Sequence, residues 1–320
     1  PGTGTGPGTG PGTGTGPGPG PGTGTGPGTG TGPGTGTGPG TGTGPGTGTG
    51  EKDQMMSIPR FRQSMAKVLL QECPAALEWQ MGEGLHERKP TRGMELSTLV
   101  HAMVLGGAQF HTISAKLASG EDATDLKSPA ARKEAAKVRA AGFIPVFSKQ
   151  LVLIRELANH IKQAIRDEGI DLDACEREQH HEWTSPEGIE CEGTPDLRLV
   201  AGSIWTYDIK VGYSANPDEW DRKLDTDHTD MQLSAYEEQA AHEHGNVPQQ
   251  HFVIAAELEG WCPVTIMPVT ESYMEEVGRK KWRRSKRRWQ ECWATGIWPG
   301  YRGRALVPPE YVVRREEFEP

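Results

Sequence analysis

The first fifty residues offer nothing from which a core could be built. They are Pro, Gly and Thr alone, in a loose PGTGTG repeat. Such a stretch cannot bury enough apolar surface to offset the entropy of ordering, so residues 1–50 are expected to be a disordered low-complexity tail. The repeat also lacks a sustained Gly-X-Y triplet, which excludes a collagen helix. The chain begins without Met, as a fragment or a translated repeat tract would. Cysteine is scarce: Cys73, Cys175, Cys191, Cys262 and Cys292 are scattered and odd in number. That fits reduced thiols in a cytosolic protein better than a disulfide framework. No apolar run is long enough to span a bilayer and no secretory leader is visible, so no membrane partner and a cytoplasmic location are expected. Positive charge is in deficit, with a net charge of −9. This counts against a general high-affinity DNA binder, but not against an enzyme in which only one groove is basic. Residues 51–320 remain as one large α/β domain ending in a basic helix and an irregular tail.

What is present is organised around residues 193–211. Gly193-Thr194-Pro195-Asp196 leads into Leu197–Val200, an Ala-Gly-Ser turn, and Ile204–Val211. This reads as two strands joined by a tight turn. Strand alternation puts Trp205, Tyr207, Ile209 and Val211 on one face and Thr206, Asp208 and Lys210 on the other. The first strand brings a second acid, Asp196, to the same place. Two carboxylates and an amine in one hairpin suit a hard divalent cation and an activated water.

Before the hairpin, residues 57–80 read as a helix broken at Cys73-Pro74, with Pro74 opening a second one. Residues 94–118 read as one helix containing Gly106-Gly107, which lowers helix propensity and suggests a close backbone approach. His101 and His111 fall on different faces of that helix; His101 is read as structural. Ala130–Ala141, ending at Gly142, and Ser148–Ile165 read as two more helices. Residues 175–192 read as a hairpin turning at Ser185-Pro186-Glu187-Gly188. Its Glu178-x-His180-His181-Glu182 cluster has the wrong spacing for a helical zinc motif.

After the hairpin, a helix from Thr229 or Asp230 puts Gln232 and Tyr236 on one face at i, i+4. Residues 251–269 read as two strands. In the basic stretch 272–295, Trp282, Trp289 and Trp293 recur at intervals of 7 and 4 and are read as core. Arg283, Arg284 and Arg287 on the other faces are candidate phosphate contacts.

The order Gly-Gly-Ala-Gln-Phe-His111, Pro-Asp196, Asp208-x-Lys210, Gln232-x-x-x-Tyr236 resembles the PD-(D/E)XK nuclease superfamily. The passage around residues 128–146 is similar to the RecB/RecE-type, exodeoxyribonuclease VIII-like group. The resemblance covers nearly all of residues 57–303. It implies a restriction-endonuclease-like core, a mixed central β-sheet flanked by helices. It further implies Mg²⁺ or Mn²⁺ held by His111, Asp196, Asp208 and the Ile209 carbonyl. Lys210 would orient or deprotonate the attacking water, and Gln232 and Tyr236 would hold the lysine, the water or the strand. The implied activity is exonucleolytic DNA hydrolysis from double-strand ends, 5′→3′, in phage-type recombination. A single-strand annealing partner, a homo-oligomeric ring and a phage or prophage origin in a bacterial host go with it. Some relatives carry an iron–sulfur cluster on a cysteine placed like Cys73 plus three near the C-terminus. Here only Cys292 lies in that region, so no cluster is expected. The alternatives are a CRISPR-associated RecB-like nuclease without a cluster and an inactive DNA-binding domain.

Overall fold

The computed structural model describes residues 10–11, 14–15, 58–82, 90–107, 109–116, 119–121 and 123–303. The chain divides into two units, the first being Pro1–Ile58, where Gly10–Pro11 and Gly14–Thr15 pair in parallel; the disorder expected of residues 1–50 otherwise lies outside the described residues. The second unit, Pro59–Pro320, carries everything that follows. Most of the C-terminal tail expected from sequence lies outside the described residues.

The second unit begins with α1 (Gln63–Gln71) and α2 (Pro74–Met81), divided at Cys73-Pro74 as expected. Helix α3 (Arg92–Leu105) follows, with Thr91 accepting from the Met94 amide as its N-cap. It stops at Gly106-Gly107, whose φ angles of +104° and +118° no other residue adopts easily. The single helix expected over residues 94–118 is thereby corrected: the glycines terminate it, and the chain continues as strand β1 (Phe110–Ile113). Strand β2 (Ile144–Phe147) pairs with β1 in parallel after α4 (Pro129–Ala140), and α5 (Ser148–Asp167) leaves from its end.

The central sheet contains β3 (Glu176–Arg177), β6 (Leu197–Val200), β7 (Ile204–Val211), β8 (Gln249–Ala256) and β9 (Val264–Val269), in the order β9-β8-β7-β6-β3. Strands β7 and β8 run parallel and the other neighbours antiparallel. Strands β4 (His181–Thr184) and β5 (Glu190–Gly193) form a separate hairpin with Gly188 at its turn. Helices α6 (Trp220–Thr226) and α7 (Thr229–His244) occupy the crossover from β7 to β8. A short helical turn, one π turn at Met274–Gly278 and α8 (Arg279–Thr295) complete the unit.

Helices cover both faces of the sheet, so β7 is buried on both. Leu99, Val100, Ile154, Leu157 and Ile161 from α3 and α5 pack on Tyr207, Ile209 and Val211. Leu233 and Tyr236 from α7, with Trp220, pack on Val253 and Ala255. A third core joins α1, α7, α8 and the β4–β5 hairpin: Phe61 stacks on Trp282 at 5.3 Å and meets Trp289 at 5.0 Å between ring centroids. The tryptophan stripe is therefore packing, as its spacing suggested.

Two features fix α8 on α7. Lys286, 1% exposed, pairs with Glu238 of α7 and Glu187 of the hairpin turn, and the Trp183 and Trp282 indoles donate to the same Glu238 oxygen. At Gly278 the backbones come close: a Cβ there would lie 2.7 Å from the Asp230 carbonyl oxygen and the Ser234 hydroxyl. No helix among the described residues is long and apolar enough to cross a membrane.

Candidate active site

Strand β7 sets the site. Its alternation turns Tyr207 and Ile209 into the α3–α5 core and leaves Asp208 and Lys210 to face α7. The antiparallel register pairs Leu197 with Tyr207, so Asp196 comes opposite Asp208 one step beyond the last pair. The Ile209 amide donates to Asp196 Oδ2 at 2.6 Å. Lys210 Nζ lies 2.6 Å from Asp208 Oδ2 and donates to Gln232 Oε1 at 3.1 Å.

Helix α7 supports that pair. Gln232 Nε2 donates to Asp208 Oδ1 at 2.9 Å and reaches Tyr236 Oη, one turn on, at 3.0 Å. The Tyr236 hydroxyl donates to the Thr194 carbonyl at 3.0 Å and receives Gln63 Nε2 of α1 at 2.9 Å. Gln232, Tyr236, Asp208 and Lys210 thus form one hydrogen-bonded unit, with Asp196 beside it. A network satisfied this fully holds its members in one geometry.

The two histidines stand the other way round from the expectation, His101 beside the aspartates and His111 away from them. His111 is exposed on β1, in the two-stranded sheet apart from the central one. Because Gly106-Gly107 ends α3, the residues that follow leave the helix and take His111 with them. His101, on α3 itself, stands with Nδ1 3.8 Å from Asp196 Oδ1 and is in hydrogen-bond contact with the Ile209 backbone. The sequence signal for this was the glycine pair as a helix stop, which leaves His101 on the helix that packs against β7.

Burial and the Asp208 charge push the Asp196 carboxyl well above the usual carboxylate range, against the pull of Lys210 and the Ile209 amide. Burial also lowers the His101 pKa, with Asp208 opposing, so the imidazole is neutral near pH 7. Neutral imidazole is the form that ligates a metal. Burial works against the Lys210 charge as well, but Asp208 and Asp196 outweigh it and raise its pKa, so the amine is held as ammonium. Asp208 is matched by Lys210, which leaves Asp196 as the acid without a cation of its own. The donor set of Asp196, Asp208, the Ile209 carbonyl and His101 fits a hard divalent cation. As placed, no three His, Cys, Asp or Glu side chains among the described residues are gathered closely enough to hold an ion. Both Asp208 oxygens are engaged by Lys210 and Gln232, so an ion must compete with Lys210.

The remaining candidates lie apart. Arg283, Arg284 and Arg287 are exposed on α8. Arg283 lines a recess with Arg279 and with Glu187, Glu237, Glu238 and Glu271, acids that Arg279 and Lys286 engage. Arg284 instead lies within electrostatic reach of His228, at the start of α7. Glu178 is exposed and takes an unusual φ of +43°, its amide donating to the Asp196 carbonyl at 3.0 Å. His180 meets the Thr194 hydroxyl, while buried His181 sits between Glu176 and Glu243. Cys73 and Cys292 are buried free thiols lining one surface cavity.

Comparison with known proteins places this arrangement. No curated protein matches the sequence. A crystal structure from Eubacterium rectale named "Putative exonuclease" superposes with a TM-score of 0.52 at 12% identity, covering 81% of this chain and 94% of that one. The crystal structure of SSO0001 gives a TM-score of 0.24 at 14% identity over 66% of this chain and 82% of that one, too low to support an argument. The family model for a PDDEXK-like domain of unknown function (DUF3799) matches residues 63–307, most of the chain, and the protein belongs to that family, its mixed central sheet flanked by helices being the PD-(D/E)XK core.

Proposed function

We propose that the protein is a nuclease that hydrolyses DNA phosphodiester bonds with Mg²⁺ or Mn²⁺, working from double-strand ends. The observation that carries this reading is the convergence of Asp196, Asp208, Lys210 and His101 on one end of the central hairpin. Asp196, Asp208, His101 and the Ile209 carbonyl would hold the ion. When bound, it would supply Lewis acidity at a phosphoryl oxygen and make water more acidic. The chain's own groups do the rest. Lys210 presents a fixed ammonium where negative charge builds up on the phosphate. Gln232 fixes both Lys210 and Asp208, and Tyr236 fixes Gln232 against the Thr194 carbonyl.

The name of the Eubacterium rectale relative favours an exonuclease over an endonuclease. Travel in the 5′→3′ direction, a recombination role with an annealing partner, a ring-shaped homo-oligomer and a phage origin belong to the same proposal, on the strength of the resemblance. With Mg²⁺, linear duplex DNA should be degraded while covalently closed circles survive; cutting of closed circles would mark an endonuclease instead. His101→Ala should weaken Mn²⁺ affinity by at least about tenfold, the cost of losing even an outer partner of a ligand. Mn²⁺-induced shifts in melting temperature report this, and His111→Ala should leave the shift at the wild-type value. The reverse order would return the metal to β1.

A further inference from the structure

A cavity of about 310 Å³ opens beside the catalytic network, between α1, the Gly193-Thr194 segment and α7. Arg62, Lys67 and His180 line it, with Gln232 among its walls. Its one acid, Glu192, is engaged by Arg62 at 2.9 Å. In a chain of net charge −9, this recess is basic.

Lys67 is the unusual member. Lys210 pairs with Asp208, Lys281 with Asp225 and Asp230, and Lys286 with Glu187 and Glu238, whereas Lys67, like half-buried Lys162 and Lys223, stands without such a partner. Lys67 is half-buried and makes no ion pair or hydrogen bond among the described residues. Burial and the Lys210 charge act against its own charge, and Asp208 and Asp227 support it, which places it within electrostatic reach of the catalytic pair. The cavity shares Gln232 with Lys210 and Asp208. A half-buried amine without a carboxylate, at the mouth of a basic recess, calls for an anion.

We propose that this cavity takes a backbone phosphate of the DNA strand leading to Lys210, with Lys67 as its main contact. The proposal rests on the nuclease reading, deepens it by giving the strand a path, and makes Lys67 a positioning residue. No base edge is read along this path, so recognition there is independent of sequence.

The test is binding of wild-type and variant protein to labelled duplex with a single-stranded overhang, in EDTA to prevent cleavage, at several salt concentrations. Lys67→Ala should weaken binding equally for unrelated sequences and reduce the slope of log affinity against log salt by about 0.7–0.9, one phosphate contact. Lys67→Gln, which keeps much of the side chain without its charge, should do the same, and Lys67→Arg should restore the slope. Removing the exposed α4 lysines Lys133 and Lys137 should leave it unchanged. Circular dichroism and melting confirm that each variant is folded. Inorganic phosphate at millimolar concentration should compete only weakly; full displacement of DNA would point to a pocket for a free anion and overturn the strand path. A wild-type slope in both Lys67→Ala and Lys67→Gln, with normal DNA cleavage by the wild type, would overturn this inference alone. A wild type that neither binds nor cuts DNA would remove the nuclease reading and this inference with it.

Discussion

Lys210→Ala should lower the single-turnover rate of duplex cleavage by at least about 100-fold while leaving the fold intact, because fixed charge at a reacting centre is worth roughly that much. Asp208→Asn should fall as far. The two losses have different origins. Lys210 is held as ammonium by Asp208 and Asp196 in spite of its burial, so Lys210→Ala removes positive charge at the phosphate and not a free base. Asp208→Asn removes a donor to the ion and leaves Lys210 with only Gln232 and a weaker partner. Isothermal titration with Mn²⁺ should separate them: the lysine variant keeps metal binding and the aspartate variant loses it. A Lys210→Ala protein cutting within a few-fold of wild type would end the mechanism.

Much of this site could be read in the sequence, for local reasons. The hairpin follows from alternation and a permissive Gly202 turn, with φ at +75°. Gln232 and Tyr236 share a face because they are one helical turn apart. The approach of His101 to Asp196 was not foreseen because a Gly-Gly pair lowers helix propensity wherever it lies, and propensity alone does not say whether the chain continues. Gln63 and Lys67 were missed for a different reason. Their helix meets α7 through the Gln63–Tyr236 hydrogen bond and lies beside α8, where Phe61 packs on Trp282 and Trp289, residues more than 200 positions away in the chain, and no local pattern encodes a contact at that separation. The separate β4–β5 hairpin was legible as a hairpin, but not as the platform beneath α8.

Lys286→Ala should destabilise the protein by roughly 3–5 kcal/mol, the cost of removing one partner from a buried charge pair. Glu238 would keep its two indole donors but lose its cation. Glu187→Gln should cost under about 1 kcal/mol, since that carboxylate is 41% exposed and water can replace the lysine. Denaturant midpoints with unchanged slopes would report both. Pairing Lys286→Met with Glu238→Gln should recover part of the loss, because no unpaired ion then remains inside. Equal costs for the Glu187 and Lys286 variants would show that solvent reaches this cluster.

Gly278 has no chemistry of its own, yet it governs how near two helices can stand. A methyl group there would collide with the first turn of α7 at Asp230 and Ser234. Gln232 lies between those two in sequence, and its amide spans Asp208 and Lys210 of the proposed site. Alanine at 278 would thus act as a lever, with its fulcrum at the helix crossing and its far arm at the reaction centre. The tolerance of the chemistry is set at a spot that never meets the substrate.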